Sequence, residues 1–159
     1  MNQTLSGESR AVSALKCELA AEVLRSFGEL RFAATGWSML PSIWPGETLV
    51  VERIDREQVQ IGDVVLVQRD GRLCAHRLVW LTEGSNNPRW ITQGDALPVS
   101  DRPVVESELL GRVAYLIRDG KCIPVPAELS VTQKLLAGIV RHSVPAARAL
   151  VYLNRKRRS

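Results

Sequence analysis

The feature that most constrains the fold is a succession of short apolar segments between Gly28 and Ser130, with no long helical pattern among them. The segments alternate or are rich in β-branched residues, and Gly, Pro, Asn and Asp separate them: RFAAT, ETLVVERI, DVVLVQRD, LCAHRLVWLTE, RWITQ and LLGRVAYLIRDG. Six or seven strands without intervening helices indicate antiparallel pairing, because parallel strands need long crossovers. We therefore expect a mainly β fold, a coiled antiparallel sheet or barrel. Asp70-Gly71 predicts a hairpin within it.

Helical patterns flank this β region. Residues 8–28 are predicted to form a helix, because apolar residues recur at three- and four-residue spacing and Gly28 supplies a stop. The helical period returns after Ser130 in two pieces, because Pro145 interrupts it and Ser143 can cap the second piece. The predicted organisation is an N-terminal helix (1–29), a β-domain (30–126) and a helical tail (127–159).

The positive charge of the chain belongs to this tail. The whole sequence carries 21 Lys and Arg against 17 Asp and Glu, but residues 130–159 contain seven basic residues and no acidic one. Lys134, Arg141, Arg148 and Arg155 recur every seven residues, which is typical of a basic stripe on an amphipathic helix. Such a tail either docks on the β-domain by its apolar side or contacts a membrane surface or a partner. A nucleic-acid partner is not expected, because no helix-turn-helix segment is present.

The sequence favours a reducing compartment. Cys17, Cys74 and Cys122 are odd in number and widely spaced, so free thiols fit better than a disulfide framework. The first residues lack the pattern of a secretory signal, and no apolar run is long enough for a membrane span. We expect a cytoplasmic protein, with peripheral membrane contact through the tail as the one membrane association.

The tryptophans fall into two groups. Trp80 and Trp90 lie on predicted strands and are expected in the core, whereas Trp37 and Trp44 flank a Pro-containing turn, where burial is less assured.

Ser38 and His76 are the residues best suited to nucleophilic chemistry. Ser38 lies in GWSMLPS, between a strand and a Pro-containing turn, and His76 lies within a strand. A neutral histidine can accept the proton of a serine hydroxyl, and an aspartate behind the histidine would fix its tautomer. Asp95 and Asp101, both in QGDALPVSDRP, are candidates for that aspartate. The other histidine, His142, is expected to be a solvated residue of the basic tail.

Five segments taken together resemble the signal peptidase I clan, which also contains the LexA-type self-cleaving repressors. They are GWSMLPSIWPGETLVVE, IGDVVLV, HRLVW, TQGDALPVSDRPV and LLGRV, and they span roughly residues 30–118. The resemblance implies a coiled antiparallel β-fold and a serine endopeptidase that cuts after small residues. It also implies Ser38 as nucleophile. His76-Arg77 is similar to the archaeal and endoplasmic-reticulum branch, in which histidine replaces the lysine base. There the matching carboxylates are Asp101, which we favour as the orienting group, and Asp95, in a supporting role.

The chain departs from this pattern at three points. Gly36 occupies the position where a serine commonly assists the oxyanion hole, so the oxyanion would depend on backbone N–H groups, chiefly that of Ser38. Gly46-Glu47 replaces a Gly-Asp turn, a change for which we expect structural meaning only. We also expect no membrane anchor of the kind that signal peptidases carry, because no apolar run in the sequence is long enough to span a bilayer.

These departures keep other functions open. The first alternative is a weak or inactive peptidase fold that serves as a binding module, and the second is a LexA-type self-cleaving regulator. A Cys74–His76 nucleophilic pair is disfavoured because neighbours on one strand face project in parallel. No metal or other cofactor is expected, because Cys74, His76 and one aspartate are too few ligands for a metal site.

Overall fold

The computed structural model describes residues 3–82 and 89–158. Within this part of the chain, one antiparallel sheet contains seven strands: β1 (Glu29–Ala33), β2 (Thr48–Glu52), β3 (Val64–Arg69), β4 (Arg72–Leu81), β5 (Trp90–Gln93), β6 (Leu109–Arg118) and β7 (Lys121–Pro124). Their order is β1-β2-β6-β3-β4-β5, and β7 pairs with β6. The predicted mainly β, antiparallel fold is therefore confirmed. The barrel alternative is not observed in the described residues, because β1 and β5 end the sheet without pairing with each other.

Asp-Gly turns join two pairs of neighbouring strands. Asp70 and Gly71 both have positive φ, 50° and 71°, and connect β3 to β4 in the hairpin that the sequence predicts. Asp119 and Gly120, with φ of 50° and 74°, connect β6 to β7 in the same way. This second hairpin was not predicted, although it contains the same Asp-Gly dipeptide.

The N-terminal helix, α1 (Gln3–Phe27), is confirmed and starts five residues before the predicted boundary. The positive φ of Gly28 ends it, and the Gly28 N–H donates to the Leu24 carbonyl over 3.0 Å. Cys17, Ala20 and Leu24 are the buried residues of the described side chains on this helix. Most of the apolar stripe that predicted the helix lies outward: Val12, Leu15, Leu19 and Phe27 are 54–80% exposed.

The tail forms two helices, α2 (Val131–His142) and α3 (Val144–Arg158), which break where the sequence predicts. The Ser130 hydroxyl accepts a hydrogen bond from the Gln133 N–H and caps α2, while Pro145 lies in the first turn of α3. Among the described residues, no helix is both long enough and apolar enough to cross a membrane.

The sheet separates two apolar clusters, because successive residues of β3 point to opposite faces. Leu66 packs in the cluster that includes Leu24 of α1, and Val65 packs in the cluster around Leu78 and Trp90. A third, smaller cluster joins Val140 of α2 to Leu40 and Ala96. The first two clusters fix the positions of β3 and β4, and the third places α2 against the loop that follows β1.

One core prediction is wrong. Trp90 is 2% exposed, as expected, but Trp80 is 59% exposed. The pairing of β4 with β5 shifts register between Leu78 and Trp80, so strand alternation no longer carries Trp80 toward the core. In the Pro-containing turn after β1, Trp37 is 39% exposed, whereas Trp44 packs against the third cluster.

Candidate active site

Ser38, His76 and Asp101 form a continuous chain of hydrogen bonds. The Ser38 Oγ lies 3.1 Å from His76 Nε2, and His76 Nδ1 lies 2.7 Å from Asp101 Oδ2. A carboxylate can only accept, so Nδ1 carries the proton, and in the neutral imidazole Nε2 is then free to accept from the serine hydroxyl. The three residues come from the turn after β1, from β4 and from the loop after β5.

Asp101 is held in its ionised form. Burial raises the pKa of this carboxyl, but hydrogen bonds from His76 and Thr92 and the charges of His76 and Arg69 outweigh burial, so the pKa lies below its ordinary value. The Thr92 hydroxyl donates to Asp101 Oδ2 over 2.6 Å, and the Asp101 N–H donates to the Thr92 carbonyl over 2.8 Å. Side chain and backbone of Asp101 are thus both fixed to β5.

Arg69, the last residue of β3, approaches the other oxygen of Asp101. Its Nη1 lies 3.8 Å from Asp101 Oδ1, while its Nη2 donates to the Arg102 carbonyl over 2.8 Å. The side chain is 13% exposed, and its Nε is buried without a hydrogen-bond partner among the described residues. A cation is therefore fixed behind the aspartate, on the side away from the histidine hydrogen bond.

Asp95 lies in a separate buried network and does not contact His76. Its two oxygens accept from Arg77 Nε and Nη2 over 2.8 and 2.9 Å, and one of them also accepts a short hydrogen bond from Ser42. Arg77 Nη1 donates in addition to the carbonyls of Gly62 and Pro126. His76 and Arg77 are neighbours on β4, so their side chains point to opposite sides and each pairs with its own aspartate.

The segment around Asp95 also fixes the backbone of Ser38. The Ala96 N–H donates to the Ser38 carbonyl over 2.8 Å. A Cβ on Gly94 would lie 2.7 Å from the same carbonyl oxygen and 3.0 Å from the Leu97 side chain. Glycine is therefore required at position 94 for this close approach.

A cleft of about 320 Å³ opens beside Ser38 and His76. One wall is the end of β1 and the residues after it, and the other is the first half of β4. The lining includes both small residues and larger apolar ones: Ala33, Ala34, Gly36 and Ala75, and Phe32, Met39, Ile43, Leu49 and Leu73. The cleft therefore combines apolar side chains with the Ser38 hydroxyl in one lining.

The oxyanion donors expected from the sequence are backbone groups. Within the described part of the chain, nothing accepts a hydrogen bond from the Ser38 N–H, which leaves this group available for an oxyanion. A Cβ on Gly36 would meet only the Ser38 Oγ, at 3.9 Å. Position 36 therefore has room for the serine that the resemblance implies there, but supplies no side-chain donor.

The remaining sequence-predicted residues lie outside this arrangement. Cys74 lines the cleft without a hydrogen bond to His76 among the described contacts, and burial first, then the charge of Asp101, raises the pKa of its thiol. His142 is an exposed residue at the end of α2. Glu47 is buried and accepts from Arg118 Nε over 2.5 Å. In the described residues, no group of three or more His, Cys, Asp and Glu could hold a metal ion.

Sequence reasoning missed Arg69, Thr92 and Gly94 as parts of the site. For Thr92 a signal existed, since WITQ alternates and Thr92 shares the buried side with Trp90, an unusual place for a hydroxyl without a partner. For Arg69 and Gly94 none existed, because their importance depends on contacts with Asp101 and Ser38 that are distant in sequence. Comparison of the sequence with models of protein families and with curated proteins finds no match.

Proposed function

We propose that this chain is a serine endopeptidase with the fold of the signal peptidase I clan, and that Ser38 is its nucleophile. The observation that carries the proposal is the hydrogen-bonded sequence Ser38 Oγ, His76 Nε2, His76 Nδ1 and Asp101 Oδ2. A serine hydroxyl is unreactive at neutral pH unless a base accepts its proton, and this arrangement supplies the base in the required tautomer.

The geometry supports an acyl-enzyme mechanism. Ser38 Oγ attacks the scissile carbonyl while His76 Nε2 takes its proton, and the ionised Asp101 stabilises the resulting imidazolium. The Ser38 N–H is the donor available to the oxyanion. His76 then returns the proton to the leaving amine, and a water molecule, activated by the same histidine, hydrolyses the acyl-enzyme.

The open strand edges beside the cleft favour an extended peptide as substrate. Among residues 3–82 and 89–158, β1 pairs with β2 alone, so no described strand pairs with its other edge. Residues 73–76 of β4 pair with β3 on one side, whereas β5 joins the other side only from Arg77 onward. A peptide strand can add its backbone hydrogen bonds to such edges. The small residues beside Ser38 favour small side chains next to the cut.

The test uses a fluorophosphonate probe together with cleavage of a peptide library, read by mass spectrometry. We expect stoichiometric labelling of Ser38 and cleavage after small residues, and we expect Ser38→Ala and His76→Ala to abolish both. His142→Ala and Ser26→Ala are matched controls on exposed helix positions and should retain wild-type rates. Wild-type turnover by either active-site variant would overturn the mechanism.

The alternatives make different predictions in the same experiment. The absence of a side-chain donor at Gly36 favours an inactive binding module as second candidate, since one lost oxyanion donor costs roughly 3–4 kcal/mol in comparable sites. A folded protein that binds peptides but leaves the phosphonate unreacted would establish that candidate. A LexA-type regulator would instead cleave itself at a rate independent of protein concentration.

A further inference from the structure

The outward side of α2 carries an apolar stripe. Three residues spaced by four share this side, with exposed fractions of 75%, 67% and 59%: Val131, Leu135 and Ile139. Residues spaced by four lie one above the other on a helix, so they form a continuous surface. Aliphatic side chains at adjacent positions of one helix face usually pack against something.

This stripe is not the side by which α2 attaches to the protein. Ala137 and Val140 are its buried residues, 3% and 1% exposed, and Val140 packs with Leu40 and Ala96. Leu150 and Val151 of α3 pack on the same cluster. The tail therefore has two apolar sides, one already used for docking and one directed outward.

Cations accompany the outward stripe. Lys134 lies on the flank of the stripe and is exposed. Arg141, two turns later, is also exposed but is directed toward the inner side of α2, where it donates to the Asp95 carbonyl over 3.4 Å. Arg148 and Tyr152, spaced by four on α3, are exposed as well. Residues 130–159 contain no acidic residue, and the nearest one before them is Glu128. The side chains of Arg155 to Arg158 lie outside the described residues.

We propose that the outward side of α2, assisted by the exposed side of α3, lies on the surface of an anionic membrane. Exposed aliphatic side chains beside cations match the boundary between acyl chains and charged headgroups. A second copy of the chain is a poorer occupant, because self-association of these sides would bring like charges together. Nucleic acid would neutralise the cations but leave the aliphatic stripe in water. The inference does not depend on peptidase activity.

The test is co-sedimentation of the full chain with phosphatidylcholine vesicles, with and without phosphatidylglycerol. We expect binding only to the anionic vesicles, weakened by added salt because exposed charges are screened. The double variant Leu135→Gln/Ile139→Gln should lose roughly tenfold in partitioning for each residue removed from lipid. Leu15→Gln/Leu19→Gln on α1 is the matched control, since those residues are 65% and 63% exposed, and it should bind like wild type.

Three results would overturn the proposal: equal binding by Leu135→Gln/Ile139→Gln and wild type, equal binding to neutral and anionic vesicles, or no binding at all. Analytical ultracentrifugation of the same samples distinguishes a second copy, which would appear as a dimer that the double variant abolishes. A circular dichroism spectrum and a melting temperature equal to those of wild type show that each variant is folded.

Discussion

Replacing each aspartate of the site by asparagine should damage a different property of the protein. Asp95 and Arg77 are 4% and 8% exposed at their side chains, so Asp95→Asn leaves a buried guanidinium without its counterion. Removing one partner of a buried ion pair costs about 3–5 kcal/mol. We expect a cost at the lower end of this range, because Arg77 keeps its hydrogen bonds to backbone carbonyls. At about 2–4 °C per kcal/mol for a chain of this size, the melting temperature should fall by about 6–12 °C.

Asp101→Asn should instead abolish turnover. An asparagine can present its NH₂ group to His76 and stabilise the wrong tautomer, a change that costs about ten-thousandfold in kcat in comparable triads. Its effect on stability should depend on pH. Because the folded pKa of Asp101 is lowered, its contribution to stability is present above the ordinary value of about 3.9 and is lost as the pH falls through the folded value. The gap between wild type and Asp101→Asn should therefore narrow below about pH 4.

Thermal unfolding followed by circular dichroism, together with kcat/KM measured well below the lowest melting temperature, separates the two effects. Glu106→Gln is the control for an ion pair at the surface, since Glu106 pairs with Arg56 at exposed side chains, and it should change neither quantity measurably. A melting temperature for Asp95→Asn equal to that of wild type would refute the assignment of a buried pair. Full turnover by Asp101→Asn, with loss of turnover confined to Asp95→Asn, would reverse the two roles.

Two further substitutions probe the groups that position the triad. Gly94→Ala should slow phosphonate labelling of Ser38 with a smaller effect on the melting temperature, because the new Cβ displaces the Ser38 carbonyl. The control is Gly138→Ala, since a Cβ at that position meets nothing within 4 Å. Arg69→Gln should lower kcat, because Asp101 loses a cation that helps to keep its carboxylate ionised behind the histidine. An unchanged kcat together with a lowered melting temperature would show that Arg69 has only a structural role.

The strands and one hairpin could be predicted because their signals are local. Alternation, β-branched residues and the Asp70-Gly71 pair each act within a few residues, and the structure contains a strand in every predicted segment. The outward stripe of α1 shows the limit of such signals. Periodicity established that a helix forms, but the sheet buries Cys17, Ala20 and Leu24 rather than the more apolar stripe. Which side packs depends on the shape of the partner surface, which no local pattern specifies.

The partners of the two aspartates could be predicted in part. Residue types and the resemblance named Ser38, His76, Asp101 and Asp95, and the structure brings the first three into one chain of hydrogen bonds. Strand alternation alone implies that His76 and Arg77 need separate partners, but it does not say which aspartate serves which residue. The path of the loop after β5 decides that assignment. The Asp101 N–H donates to the Thr92 carbonyl, and this hydrogen bond holds Asp101 next to β5.

Contacts across the predicted region boundaries link the tail to the site. Arg77 donates to the carbonyls of Pro126 and Ala127, just before α2, and Arg141 of α2 donates to the carbonyl of Asp95 over 3.4 Å. The inner side of the tail thus supports the network that holds the Ser38 loop, while its outer side stays open. Because the two sides are distinct, a membrane surface can bind the outer side of the tail without releasing the contacts of the inner side. Vesicle binding should therefore leave phosphonate labelling of Ser38 intact, whereas a substitution at Val140 should impair it.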